Sequence, residues 1–184
     1  LCVMHFQQLH GHLRLSKMKI IVFLLFNLFV LINCLNAQIS FQKSYNFLGD
    51  NGGQQTFDGG YIFAGHYYNN GFSPKIALVK TDSIGDTTWV RTYSFAFHNI
   101  ATCVRQTVDS GFIVTGLAID SITGFTELIL AYKTDKNGNL TWSKFFEGRA
   151  GNSVEQTSDS GFIFVGEYGL KAIKTDMFGD TLWT

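Results

Sequence analysis

Proline and cysteine are almost absent from the long C-terminal part of this chain. Pro74 is the only proline of the 184 residues, and Cys103 is the only cysteine after Gln38. A single cysteine excludes an internal disulfide, so packing and hydrogen bonds have to stabilise this part of the protein. Cys103 lies in an apolar segment without the oriented partners of a nucleophile. We therefore expect it to be a small buried residue.

The sequence also lacks a strong excess of positive or negative charge, and it lacks the periodicity of amphipathic helices. The chain from residue 38 contains 11 Lys and Arg against 14 Asp and Glu, a net charge of −3. Without a basic patch, nucleic-acid binding has no electrostatic basis. No apolar pattern with a helical period follows residue 38, which excludes helical repeats. The common motifs of serine hydrolases, zinc proteases and paired-cysteine metal sites are absent too.

The N-terminus has the features of an export signal. Lys17 and Lys19 precede an apolar run over 20–35, and Ala37 offers a small residue for cleavage. The run is shorter than the roughly 20 apolar residues of a membrane-spanning helix, which favours cleavage over a membrane anchor.

We therefore divide the N-terminal region into two segments. Residues 1–17 are interpreted as an untranslated or misassigned leader, and 18–37 as a signal peptide. The alternative to a cleaved secretory signal is a lipid anchor at Cys34. We expect no contact with a membrane other than through the signal peptide or this anchor. Either way, we expect a secreted or cell-surface protein.

The remaining sequence is organised by a repeat of about 50 residues. Similar segments start 51 and 50 residues apart, at 55–65, 106–116 and 156–166. A second phrase, Lys-Thr-Asp followed by Gly and Trp, recurs in step with the first and begins at Lys80, Lys133 and Lys174. We delimit the repeats at about 55–105, 106–155 and 156–184. Residues 39–48 align with the strand at each Trp, and we interpret them as one strand of an incomplete unit.

Each repeat predicts four short antiparallel strands. In the first repeat the apolar and aromatic segments are 60–66, 75–81, 87–94 and 100–106. Residues 76–79 and 129–131 are apolar at every position, which indicates sheets buried on both faces. Four strands in about 50 residues, with both faces covered, is the pattern of a β-propeller blade. We predict an all-β, incomplete propeller of about three blades over 38–184.

The second recurring phrase resembles the tryptophan-docking segment of quinoprotein-like propellers, in which an Asp and Gly turn leads to a Trp between adjacent blades. The matching residues are Asp82, Gly85 and Trp89, then Asp135, Gly138 and Trp142, then Asp176, Gly179 and Trp183. The repeat is also similar to the propeller repeats of large secreted proteins of Bacteroidetes-type bacteria, which are often linked to type IX secretion. The resemblance extends over about 39–184 and implies an architecture rather than an activity.

Propellers close with about 4–8 blades, so two full repeats and a shorter one predict part of a longer ring. We expect this part to be poorly soluble or oligomeric by itself, because open sheet edges promote association.

Repeated aspartates invite a catalytic interpretation, but their spacing favours structure. Asp58, Asp109 and Asp159 occupy one position of the repeat, and a catalytic pair would have to converge on one substrate. We interpret them and the aspartates of the second phrase as turn residues, and the glycines of 58–60 and its copies as residues that need positive φ. We predict no catalytic, metal-binding or cofactor-binding residue.

The predicted topology places the repeated turns at one end of the sheets and loops of unequal length at the other. The unequal loops are 67–74 and 118–126, with almost nothing around 168–169. Variable loops on a rigid scaffold are frequent binding sites. The candidate ligand-binding residues are Tyr67, Tyr68, Asn70 and Phe72, whose rings and amide suit a sugar or a peptide.

Two classes of function remain open from the sequence. The first is a non-catalytic scaffold that binds an unidentified protein, peptide or glycan at the cell surface without a cofactor. The alternative is part of a propeller enzyme, either a quinone-dependent dehydrogenase or a carbohydrate-active enzyme, whose catalytic residues lie outside this chain.

Overall fold

The computed structural model describes residues 42–45, 52–68, 73–120, 126–166 and 171–184. Within these ranges the chain is all-β, with twelve strands and no helix. No helix in the described part is therefore long and apolar enough to cross a membrane. The predicted leader over 1–17, the signal peptide over 18–37 and Cys34 lie outside the described residues.

The twelve strands form three four-stranded antiparallel sheets, each a meander in chain order. The first sheet contains β1 (Gly53–Gln55), β2 (Tyr61–Tyr68), β3 (Pro74–Thr81) and β4 (Thr87–Tyr93). The second contains β5 (His98–Gln106), β6 (Phe112–Asp120), β7 (Thr126–Thr134) and β8 (Leu140–Glu147). The third contains β9 (Gly151–Gln156), β10 (Phe162–Gly166), β11 (Lys171–Thr175) and β12 (Thr181–Trp183).

The sheets begin one strand earlier than the sequence repeats do. Strand β5 forms the end of the first repeat as we delimited it, but it pairs with β6 and belongs to the second sheet. Strand β9 is joined to the third sheet in the same way. The turn around Asp109 therefore connects two strands of one sheet, and the chain passes between sheets at 94–97 and 148–150.

The third strand of the first and of the second sheet supplies residues to the core on both of its faces. Residues 76–79 of β3 and 129–131 of β7 are almost completely buried, which confirms the prediction from their continuous apolarity. Their β-branched and aliphatic side chains suit a pleated strand that is covered on both sides.

Neighbouring sheets pack face to face through two apolar clusters. One cluster unites Ile62 and Ala64 of β2 with Phe112 and Val114 of β6. The other unites residues of the second sheet, including Cys103 and Ile113, with Phe162, Phe164 and Ile173 of the third sheet. Because successive side chains in β6 point to opposite faces, its residues contribute to both clusters. Cys103 is free and buried, as the sequence predicted.

The two ends of the sheets differ in their connections. One end carries six short turns, at 56–60, 82–86, 107–111, 135–139, 157–161 and 176–180, and we call it the turn face. The opposite end carries the second hairpin connection of each sheet and the passages between sheets, and we call it the loop face.

Candidate functional site

Each turn between the first two strands of a sheet is fastened by an aspartate. In the first sheet the Asp58 carboxylate accepts hydrogen bonds from Thr56 Oγ1 at 2.6 Å and Gly60 N at 3.0 Å. The Lys80 ammonium lies 2.8 Å from the same carboxylate and also donates to the Thr81 carbonyl oxygen. The Lys80 side chain is only 8% exposed, so this ion pair links the turn to the interior of the sheet.

The same arrangement occurs in the other two sheets. Asp109 pairs with Lys133 at 2.8 Å, and Asp159 pairs with Lys174 at 2.9 Å. Thr107 and Thr157 donate their hydroxyl groups to these carboxylates. The repeated aspartates therefore have protein partners in every copy and lie in separate sheets.

These partners stabilise the charged carboxylates. Hydrogen bonds from Lys80 and then Thr56 lower the pKa of Asp58 to about 2. Burial alone would raise the pKa of Asp109. Hydrogen bonds from Lys133 and Thr107 outweigh this effect, so the pKa of Asp109 is lowered overall. The pKa of Asp159 is also lowered, mainly by Thr157 and Lys174. All three groups are anionic at neutral pH, which suits structural pairing rather than proton transfer.

The glycines of these turns have two different roles, and the sequence interpretation was correct for one of them. Gly59 has a φ of +80°, and Ser110 and Ser160 take the same left-handed conformation in the other copies. Gly60 is not among the residues with positive φ. It is required for space, because a Cβ there would collide with the Thr81 carbonyl and lie 2.7 Å from Lys80 Nζ.

The second set of aspartates caps the turn between the third and fourth strands of each sheet. Asp82 Oδ1 accepts hydrogen bonds from the backbone N–H groups of Ile84 and Asp86, at 3.0 and 2.8 Å. Asp135 and Asp176 make the equivalent bonds in their own sheets. Each turn includes a glycine with positive φ, and these are Gly85, Gly138 and Gly179.

Two of the three repeated tryptophans lie between neighbouring sheets. The Trp89 ring packs 5.8 Å from Phe112 of the second sheet, and a Cβ built on Gly138 would lie 3.1 Å from that indole. Trp142 stands in the same relation to Phe162 and Gly179 of the third sheet. Trp183, at the end of β12, is 54% exposed.

A repeated glutamine links the turns of neighbouring sheets, and the sequence analysis missed its role. Gln106 Oε1 accepts a hydrogen bond of 2.7 Å from Phe57 N, in the turn of the preceding sheet. Gln156 Oε1 accepts one of 2.9 Å from Val108 N in the same way. The recurrence of glutamine at the start of each copy could have indicated this role. The backbone N–H group that each glutamine binds, however, lies about 50 residues earlier in the sequence.

Residues 42–45 lie against the turn between β3 and β4 in the first sheet, although they form no strand. Tyr45 donates its hydroxyl to the Gly85 carbonyl oxygen at 2.8 Å, and Lys43 pairs with Asp86. Tyr93 makes the corresponding bond to the Gly138 carbonyl oxygen at 2.6 Å. The rest of the predicted 39–48 strand lies outside the described residues.

Two equivalent clefts open on the turn face, one between each pair of neighbouring sheets. The first cleft, between the first and second sheets, has a volume of about 660 Å³. Phe57, Trp89, Phe112, Lys136 and Asn137 are among its lining residues. The second cleft, between the second and third sheets, measures about 240 Å³. Its corresponding lining residues are Val108, Trp142, Phe162, Met177 and Phe178.

On the loop face the structure separates the two tyrosines of the predicted binding site. Tyr67 and Tyr68 are consecutive residues of β2, so their side chains leave opposite faces of the first sheet. Tyr68 is 48% exposed, and its ring meets His66 edge-on at 5.9 Å. Asn70 and Phe72 lie outside the described residues.

Two histidines add unsatisfied polar groups in this region. The Nδ1 atoms of His66 and His98 are buried and have no hydrogen-bond partner in the described part of the chain. Burial lowers the pKa of both imidazoles, and the charge of His98 lowers that of His66 further. Both rings are therefore neutral at neutral pH.

Metal ligands do not gather in the described ranges, which contain no cluster of three or more His, Cys, Asp or Glu residues that could hold an ion. In comparisons with known proteins, no family model matches the chain and no curated protein matches its sequence.

Proposed function

We propose that this protein is a non-catalytic scaffold of the β-propeller type that binds a protein, peptide or glycan at the cell surface. The main support for the proposal is that the repeated aspartates make structural contacts within their own turns. Asp58, Asp109 and Asp159 each bind a lysine, a threonine and a backbone N–H of their own turn. A scaffold needs such residues in every unit, whereas catalysis needs them at one place.

The propeller architecture is supported by the way in which each sheet contacts the next. Trp89 and Gly138 join the first and second sheets, and Trp142 and Gly179 join the second and third with the same geometry. Blades that repeat one packing relation around an axis form a propeller.

We also propose that the protein is exported, and this part of the proposal rests on the sequence of the N-terminal region. The charged and apolar pattern of 18–37 is typical of a signal peptide. Such a signal would bring the sheets to the cell surface or the medium. After removal of residues 1–37, Cys103 would be the only cysteine left of the three, so it could form no internal disulfide there.

Of the residues that the sequence suggests for ligand binding, Tyr67, Tyr68, Asn70 and Phe72, the structure describes only the two tyrosines. Tyr68 is the strongest candidate among the described residues, because it is 48% exposed and its ring lies edge-on to the His66 imidazole. An aromatic ring next to polar groups suits a sugar ring or a peptide side chain.

A glycan array and an immobilised peptide library test this site with the full-length chain. We expect Tyr68→Ala to weaken binding of any ligand found by about tenfold, which corresponds to the loss of one aromatic contact. Tyr67→Ala, on the other face of the sheet, should have a smaller effect, and Val108→Ala on the turn face should have none. Binding that survives Tyr68→Ala unchanged would place the site elsewhere.

A further inference from the structure

The two clefts of the turn face are built from the same positions of the repeat but differ almost threefold in volume. Each has a tryptophan from one sheet and a buried phenylalanine from the next as its floor, and these pairs are Trp89 with Phe112 and Trp142 with Phe162. The differences are at the rim, in the residues of the turns.

In the second cleft the chain supplies its own apolar side chains. Met177 and Phe178 occupy the two tip positions of the turn after β11 and line the opening. Trp142 Nε1 donates a hydrogen bond of 3.2 Å to the Met177 carbonyl oxygen. A short apolar segment with an available backbone carbonyl therefore fits this type of cleft.

In the first cleft the same tip positions are polar. Lys136 and Asn137 replace Met177 and Phe178, and both are exposed. The Trp89 indole N–H has no corresponding acceptor among the residues that the structure describes. The first cleft thus keeps the tryptophan and the phenylalanine, but it lacks the apolar tip residues that line the second cleft, where Met177 is 53% and Phe178 62% exposed.

The two carboxylates that line the first cleft already have partners within the protein. The Asp58 carboxylate is held by Lys80, and Asp82 Oδ1 accepts two backbone N–H groups. Phe57, at the tip of its turn, is 69% exposed. A turn tip is usually polar, so an exposed ring beside an open aromatic cleft marks a contact surface.

We infer that the first cleft binds a short segment of a partner polypeptide at the place where Met177 and Phe178 line the second cleft. An apolar side chain of the partner packs against Phe57, Trp89 and Phe112, and a backbone carbonyl accepts the Trp89 indole N–H. A carboxylate next to the apolar residue can pair with Lys136 at the mouth. The inference rests on the proposed binding function, but it concerns the opposite face from Tyr68.

The probe is a fluorescein-labelled peptide with the sequence of residues 175–180, Thr-Asp-Met-Phe-Gly-Asp. Fluorescence anisotropy with the full-length chain should show one binding site. Lys136→Met combined with Asn137→Phe places the tip residues of the third sheet over the first cleft. We expect this double variant to bind the peptide at least about tenfold more weakly, because apolar side chains of the protein itself would then line the opening and Lys136 would be lost.

The reverse exchange provides a gain of binding. Met177→Lys combined with Phe178→Asn should open the second cleft and raise the number of bound peptides from one to two. Phe57→Ala removes an exposed ring and should weaken binding without unfolding the protein. Val108→Ala is its matched control at the equivalent turn position, which is 76% exposed, and it should leave binding unchanged.

Several results would overturn the inference. One is absence of peptide binding by the wild-type chain, and another is binding that the double variant Lys136→Met with Asn137→Phe does not weaken. Binding of an oligosaccharide alone, or self-association that this double variant abolishes, would assign the cleft to a sugar or to a second copy. Peptide binding that persists in Tyr68→Ala would show that the two faces act independently, so either proposal can fail alone.

Discussion

The side chains of Lys80 and Lys133 are almost completely buried. Each ammonium group pairs with a carboxylate and donates a hydrogen bond to a backbone carbonyl oxygen. Burial of a charge is costly unless it is paired and hydrogen-bonded, so these contacts make the lysines compatible with the interior. A lysine at each of these positions thus depends on a carboxylate that lies more than 20 residues away in the sequence.

Tyr132 and Tyr93 offer a contrast between an unpaired and a paired hydroxyl. Their rings lie 5.0 Å apart in the cluster between the first and second sheets. Tyr132 is fully buried and its hydroxyl has no hydrogen-bond partner within the described residues, whereas Tyr93 donates to the Gly138 carbonyl oxygen. Burial raises the pKa of both phenols, so neither ionises at neutral pH.

We predict opposite effects when each hydroxyl is removed. Tyr132→Phe should leave the free energy of unfolding unchanged or increase it by about 1 kcal/mol, because it removes an unsatisfied polar group. Tyr93→Phe should decrease it by about 1 kcal/mol, because it removes a hydrogen bond between sheets. Urea unfolding of both variants checks this pair, and equal losses in the two variants would contradict it.

At the scale of the element, the turns between the first and second strands make the free energy of unfolding depend on pH in the acid range. The pKa of Asp58 is about 2 in the folded protein, against roughly 3.9 for an unfolded aspartate. A depressed carboxyl pKa contributes stability above the unfolded value, and that contribution is lost as the pH falls through the folded value. The pKa values of Asp109 and Asp159 are shifted in the same direction.

We therefore predict a loss of stability on acidification between about pH 4 and pH 2. His66 and His98, whose pKa values are lowered by burial, also take up protons on acidification, so the wild-type curve has to be compared with that of Asp58→Asn. The difference in urea midpoint between the two proteins should be constant above pH 5 and should shrink toward pH 2. A difference that does not change with pH would exclude a contribution from the Asp58 charge.

Local sequence predicted the strands and turns better than the pairing between them. Aspartate, glycine and tryptophan at fixed offsets identified six turns and the third and fourth strands of each sheet. The affiliation of β5 with the following sheet could not be predicted, because a repeat in the sequence is periodic and has no marked beginning. Gly60 was identified as a turn residue for the wrong reason, since the backbone that crowds it belongs to another strand.

At the scale of the whole molecule, the sequence predicted an all-β chain of four-stranded antiparallel sheets, and the structure confirms this. The contacts that join the sheets were harder to foresee. Gln106 accepts an N–H from a turn in the preceding sheet, and the unequal clefts result from two tip residues whose effect depends on the sheet opposite. Such features depend on sheet packing rather than on local pattern.

The first and second sheets each dock their tryptophan on the turn of the following sheet. Gly138→Ala introduces a Cβ that meets Arg91 Cγ at 2.7 Å and the Trp89 ring at 3.1 Å, in a residue with positive φ. Gly59→Ala is the matched control, with a φ of +80° and its nearest neighbour, Ser83 Cβ, at 3.9 Å. Both changes should cost about 1 kcal/mol for the left-handed conformation, and only Gly138→Ala should cost more.

A double-mutant cycle between Trp89→Ala and Gly138→Ala, followed by urea unfolding, measures this docking most directly. We predict a coupling free energy of about 1–2 kcal/mol, because removal of the indole relieves its contact with the new Cβ and frees Arg91, whose side chain lies over that ring, to move away. We predict no coupling between Trp89→Ala and Gly59→Ala. A coupling below about 0.3 kcal/mol for the first pair would show that Trp89 does not rest on the turn of the second sheet.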